Sequence, residues 1–147
     1  MNNHEMSQLL SYIAELDGRQ ITPTTVQVWT DVLGKDYTLA EMREAVRQHF
    51  TESTEFLKPG HLVAQVRRVR RERLNQLSGP VQVNDADDHR GPDATMRQFG
   101  EYKRIRQEVS DSVATGQMSR ATYQEYVNGR MPWDEFKQGL DRRRLEQ

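Results

Sequence analysis

The sequence predicts an all-α protein, and two kinds of observation carry that reading. Apolar residues return at the three- and four-residue spacing of a helical face in segment after segment. Helix start and stop signals stand at the ends of those segments. In residues 5–16, Met6, Leu9, Leu10 and Ile13 share one face, and Asp17-Gly18 stops the pattern. Thr22-Pro23 then supplies an N-cap followed by a proline at the first helical position, where its missing N–H costs nothing. Val26, Trp29 and Leu33 form the inward stripe of this second helix, which Gly34 ends. Thr38 and Glu41 have the spacing of a capping box, and the helix behind them buries Leu39, Met42, Val46 and Phe50. Lys58-Pro59 opens a fourth helix whose inward residues are Leu62, Val66 and Val69.

Beyond residue 77 the pattern thins. Residues 78–94 carry two Gly-Pro pairs and the acids Asp85, Asp87, Asp88 and Asp93, a composition that predicts an acidic, flexible linker. After it, Phe99, Tyr102, Ile105, Val109 and Val113 form one narrow apolar seam. Gly116-Gln-Met-Ser with Tyr123 is echoed thirteen residues later by Gly129-Arg-Met-Pro with Phe136. Each copy has a glycine ending one helix, a methionine placed to staple the next, and an aromatic one turn inside it. The expected organisation is therefore a four-helix domain over 1–77, a linker over 78–94, and a helical arm over 95–147 with one long and two short helices. Asp141-Arg142-Arg143-Arg144 reads as a frayed helix end.

Composition agrees with that division. Only 35% of the 147 residues are hydrophobic, against roughly 45–50% in an average globular domain. One core running through the whole chain is not expected; a compact part with a loosely packed arm is. The chain has no cysteine, which excludes a disulfide framework, thiolate-held metals and thiol catalysis. The opening MNNHEMSQLL lacks the basic and apolar regions of a secretion signal, and no apolar run approaches ~18 residues, so a cytoplasmic protein without membrane contact is expected.

Net charge is −1, so no overall field advertises a nucleic-acid partner, although 17 of the 21 basic residues are arginine. The concentrated basic feature is the run Arg67 to Arg73. Helical spacing puts Arg67, Arg68 and Arg71 on the face opposite Leu62 and Val66. That makes them candidate contacts for DNA phosphates or an acidic partner, or simply a solvated helix end. Arg70 and Arg73 interrupt the apolar stripe, which reads as the helix leaving its domain and running into solvent. The aromatic residues of the second half offer a second candidate surface: Tyr123, Tyr126, Trp133 and Phe136 are either the small core of a helical hairpin or anchors for a partner protein, and Tyr102 on the seam is a further candidate anchor.

Enzyme chemistry finds no constellation. There is no phosphate-binding G-x-x-x-x-G-K-[ST] loop and no nucleophile elbow, and His4, His49, His61 and His89 do not take metal-binding spacings. His49 beside Phe50 reads as a packed or surface histidine, and His61 in a first helical turn is expected neutral. No catalytic residue, metal or cofactor is expected.

The succession of motifs in the first half carries a resemblance. Leu9-Leu10-x-x-Ile13-Ala14, Trp29-x-x-x-Leu33, Ala45-Val46-x-x-His49-Phe50 and Phe56-Leu57-Lys58-Pro59-Gly60-His61-Leu62 follow one another. They resemble the N-terminal domain of the phage replicative-helicase loader ("loader and inhibitor") family, over about half the chain. The resemblance implies a small all-α domain, a flexible connection and a C-terminal segment that engages the hexameric replicative helicase. Such a protein is a non-enzymatic adaptor that holds the helicase inactive and delivers it to DNA, often through an origin-binding partner. In that reading Arg67, Arg68 and Arg71 face DNA or an acidic partner, and the arm docks through Tyr102, Tyr126, Trp133 and Phe136. Residues 129–136 are also similar to a short bacterial C-terminal helical module regarded as an oligomerisation element, which implies self-association through 95–147. Two other classes stay open: a DNA-binding replication or transcription regulator using the arginine patch, and a structural, oligomerising phage protein.

Overall fold

The computed structural model describes residues 1–145, and every regular element among them is helical. The seven helices are α1 Asn3–Asp17, α2 Pro23–Leu33, α3 Leu39–Glu52, α4 Pro59–Asn75, α5 Met96–Ala114, α6 Arg120–Asn128 and α7 Trp133–Leu145. The chain divides into two compact units, and the division falls inside α4, after Val69.

In the first unit the caps act where the sequence places them. Thr22 Oγ1 accepts the Thr25 N–H at 3.1 Å, and Thr38 Oγ1 accepts the Glu41 N–H at 3.2 Å while the Glu41 carboxylate accepts the Thr38 N–H in return. α1 starts two residues earlier than the apolar spacing indicates, because Asn2 and Glu5 form a further capping box. Gly18 and Gly34 end α1 and α2 at φ 70° and 65°, backbone angles that a side chain disfavours. α1 packs against both α2 and α3. Met6, Leu9, Leu10 and Ile13 of α1 meet Trp29 and Leu33, Met42 and Val46, and Leu62 and Val66 in one core. Val26, Leu39 and Phe50 sit at its margin, half buried.

Arg19 has a role that periodicity does not reveal. Its guanidinium pairs with Asp17, donates to the Leu57 carbonyl at 2.8 Å, and lies 5.3 Å from the Trp29 ring centroid and 4.3 Å from that of Phe56. The α3–α4 loop is thereby tied to the end of α1. A buried arginine is tolerable here because charge, carbonyl and ring faces together replace its hydration.

The second unit corrects the expected organisation twice. The end of α4 does not run into solvent, since Leu74 and Leu77 pack on the second core. Arg73, which interrupts the stripe, donates to the Ala114 carbonyl at 3.0 Å and so caps α5 from a distance. Nor is 78–94 a free linker. Val83 belongs to the core, Val81 packs on it, and Asn84 and Asp87 are among its most enclosed polar residues. The reason is chemical: a polar segment orders when each group it buries finds a partner.

α5, α6 and α7 supply the rest of that core through Tyr102, Ile105, Val109, Val113, Tyr123, Tyr126, Trp133 and Phe136. In the internal echo Met118 is buried as a staple, whereas Met131 is about half exposed. Asp141 to Arg143 continue α7. Of the frayed end, the Arg144 side chain lies outside the described residues, as do Glu146 and Gln147 at the close of the arm.

Candidate functional site

The four aromatic anchors expected on the arm are core residues. Trp133 is fully enclosed, and Tyr126, Tyr102 and Phe136 are nearly so. Tyr126 meets Trp133 edge-on at 5.3 Å and lies 5.3 Å from Phe136. None of the four presents a ring to a partner. A short helical hairpin has few apolar residues with which to close a core, so its largest rings go inside.

Around them is a buried polar network that residue types alone did not disclose. The Asp87 carboxylate accepts the Tyr126 hydroxyl proton and, at 2.8 Å, the backbone N–H of Trp133, the first residue of α7. The Asn84 amide donates to the carbonyls of Tyr126 and Met131 at 3.2 and 2.7 Å. Asn84 thus satisfies the end of α6 and Asp87 the start of α7, caps delivered from a distant segment. Burial, reinforced by the Asp87 bond, pushes the Tyr126 hydroxyl far above its ordinary range. Glu108 on α5 adds a second junction. It accepts from Trp133 Nε1 and Lys137 Nζ, both at 2.9 Å, and from Arg104 at 2.8 Å. These bonds, led by that from Trp133, hold its carboxyl at about 2.

The arginine candidates are exposed, but they do not form one free patch. Arg68 donates to Glu52 at 3.0 Å, and Gln65 reaches the same carboxylate at 3.2 Å. The Arg68 bond, then that of Gln65, lowers the Glu52 carboxyl below its usual range. Arg67 shares the first unit with Arg68, whereas Arg71 lies beyond the division in α4. Two of the histidines, His49 and His61, tie the end of α3 to the start of α4. His49 is buried, donates from Nε2 to the Glu55 carbonyl at 2.9 Å, and stacks on His61 with ring centroids 5.0 Å apart. His61 Nδ1 accepts the Lys58 N–H at 3.3 Å, so that nitrogen carries no proton in this geometry. Among the described residues no group of three His, Cys, Asp or Glu side chains is placed to hold a metal ion, and no helix is long and apolar enough to cross a membrane.

Two surfaces not singled out in the sequence stand out instead. On α2, Val28 and Val32 are 50% and 62% exposed one helical turn apart, while Trp29 and Leu33 beside them enter the core. Gln27 and Asp31, hydrogen-bonded at 2.8 Å, give this apolar pair a polar edge. On α5, Phe99 is 41% exposed although the seam predicts it inside. Lys103 and Arg106 follow it at one- and two-turn spacings. A groove of about 450 Å³ lined by Val81, Lys103, Arg106, Gln107 and Ser110 runs alongside. The signal for the first surface is present in the sequence, as valines one position off the core stripe. The second needs the ion pairs, which separate free cations from neutralised ones. Comparisons with protein-family models, with curated proteins and with solved structures found no match for this chain.

Proposed function

We propose that this chain is a non-enzymatic replication adaptor that docks on a hexameric replicative helicase and assists its loading, with α2 of the first unit as the docking helix. The observation that carries the docking face is the Val28–Val32 pair, apolar and exposed on a regular helix whose adjacent face is anchored in the core by Trp29 and Leu33. A rigid helix with an apolar stripe and a polar edge is the form that fits a groove on a partner. The identity of the partner rests on the resemblance of residues 1–77 to the helicase-loader domain. That resemblance puts helicase contact in the C-terminal segment. Because the arm's aromatic residues close its own core, this reading moves the contact to the first unit.

The test is co-elution of the full chain with the cognate hexameric helicase in size-exclusion chromatography. Wild type co-elutes, and Val28→Glu/Val32→Glu weakens association by at least about tenfold, as expected for two central apolar anchors. Thermal unfolding of the variant stays close to wild type, since both side chains already face water. Unchanged co-elution of the folded variant overturns the docking face. Absence of wild-type co-elution overturns the helicase reading.

A further inference from the structure

We infer that the exposed face of α5 is a binding surface for single-stranded nucleic acid. Phe99, Lys103, Arg106 and Ser110 recur at intervals of four, three and four residues, which places them on one helical face spanning ~16 Å. The face borders the groove at Val81, and Arg106 is fixed toward it by the bond from its Nε to the Val81 carbonyl at 3.0 Å. That bond leaves the terminal guanidinium nitrogens of Arg106 available to an anion.

Charge pairing separates these two cations from their neighbours. Arg104 is engaged by Glu108 and Asp134, Lys137 by Glu108, and Arg90 by Asp88. Among the described residues no carboxylate forms an ion pair with Lys103 or Arg106. Asp111, one turn beyond Gln107 of the groove, accepts from the Gln107 amide at 2.9 Å rather than from either cation. The basic potential of the groove is thus not cancelled within the unit.

Aromatic placement narrows the ligand. Arg90 lies 4.2 Å from the Tyr102 ring centroid, Tyr102 stacks on Phe99 at 6.5 Å, and Lys103 Nζ lies 4.9 Å from the Phe99 centroid. Cations and rings therefore alternate, and Phe99 is the ring of the series with substantial surface in water. Cations that track a phosphate backbone beside a ring that can stack on an unpaired base are the two elements of single-strand recognition. A duplex keeps its bases stacked internally and would leave Phe99 unused. An acidic peptide would use the cations alone. On binding, Lys103 exchanges the Phe99 ring for a phosphate and frees that ring face for a base.

This inference does not depend on helicase docking, because the experiment uses the full chain with no helicase present. Fluorescence anisotropy with labelled oligo(dT) at low salt reports binding. Lys103→Glu/Arg106→Glu lowers affinity by at least about tenfold and flattens the dependence of log K on log salt, which scales with the phosphates neutralised. Phe99→Ala lowers affinity by about tenfold, the order of one lost base stack. Both variants are checked by thermal unfolding, and Arg67→Glu/Arg68→Glu serves as a charge-matched control that retains binding. The inference is overturned if oligo(dT) does not bind or if the folded α5 charge reversal binds like wild type. It is also overturned if only the Arg67/Arg68 variant loses affinity, or if a matched duplex or poly-glutamate binds as tightly as oligo(dT).

Discussion

Asp87 accepts from a phenol and from a backbone amide in a site with almost no solvent, and so does the work of a helix cap from some 46 residues away in sequence. Pro132, immediately before α7, has no polar side chain with which to cap it locally. Removing the carboxylate strands two buried donors, the Tyr126 hydroxyl and the Trp133 N–H. Asp87→Ala is therefore expected to destabilise the second unit by about 2–4 kcal/mol, measured by urea unfolding. A loss under about 0.5 kcal/mol, the range of an ordinary surface change, would contradict the network. Residue type alone is a poor guide here: four acids in a Gly-Pro context have the composition of a solvated linker, and only a partner 39 residues away marks Asp87 as different. Arg19 is the parallel case in the first unit. Nothing in the run Asp17-Gly-Arg19 announces that its guanidinium will sit between two rings and a carbonyl.

At the scale of elements, α5 and α7 are joined by charge as well as by their apolar faces. Glu108 receives Trp133 Nε1, Lys137 and Arg104, and Arg104 also reaches Asp134 at 3.1 Å. The Glu108 carboxyl falls from an ordinary 4.5 to about 2 in the folded chain, so the unfolded chain binds the proton more readily. Its stabilising contribution is whole above pH 4.5 and is lost as pH falls from there toward 2. Glu108→Gln is expected to flatten the acid limb of stability in that window, followed by denaturant midpoints at successive pH values. An acid limb identical to wild type would remove Glu108 from the account. Element boundaries were the most legible part of the molecule. Thr22-Pro23 and Thr38-x-x-Glu41 mark their helices because a cap is a local contract between residues three apart. Thr95 with Gln98 obeys the same rule at the start of α5, and Asn2 with Glu5 at the start of α1. The fate of the last turns of α4 was not legible. Periodicity shows that the stripe breaks at Arg70 and Arg73 but not that Leu74 and Leu77 serve another core.

At the scale of the whole molecule, the low apolar content has a different meaning from unfinished packing. The second unit closes its core by recruiting Leu77 and Val83 from outside the arm and by burying Asn84 and Asp87 in satisfied hydrogen bonds. Apart from Phe99, its large rings are then internal, and the surfaces proposed above are a valine pair on α2 and a basic stripe on α5. The all-α class and the existence of two parts followed from the sequence. The position of the division did not, nor did the surfaces, because both depend on which neighbours each side chain meets. The chain's two tryptophans are divided one to a core, Trp29 in the first and Trp133 in the second. Labelled with 5-fluorotryptophan, the protein should give two resolved fluorine resonances. Leu9→Ala, a core truncation of about 2–5 kcal/mol, should shift the unfolding midpoint of the Trp29 signal more than that of Trp133. Equal shifts would contradict the assignment of Leu9 and Trp133 to separate cores. Nature has thus wired each half with its own indicator lamp, and the order in which the two go dark can be watched without attaching a probe to either surface.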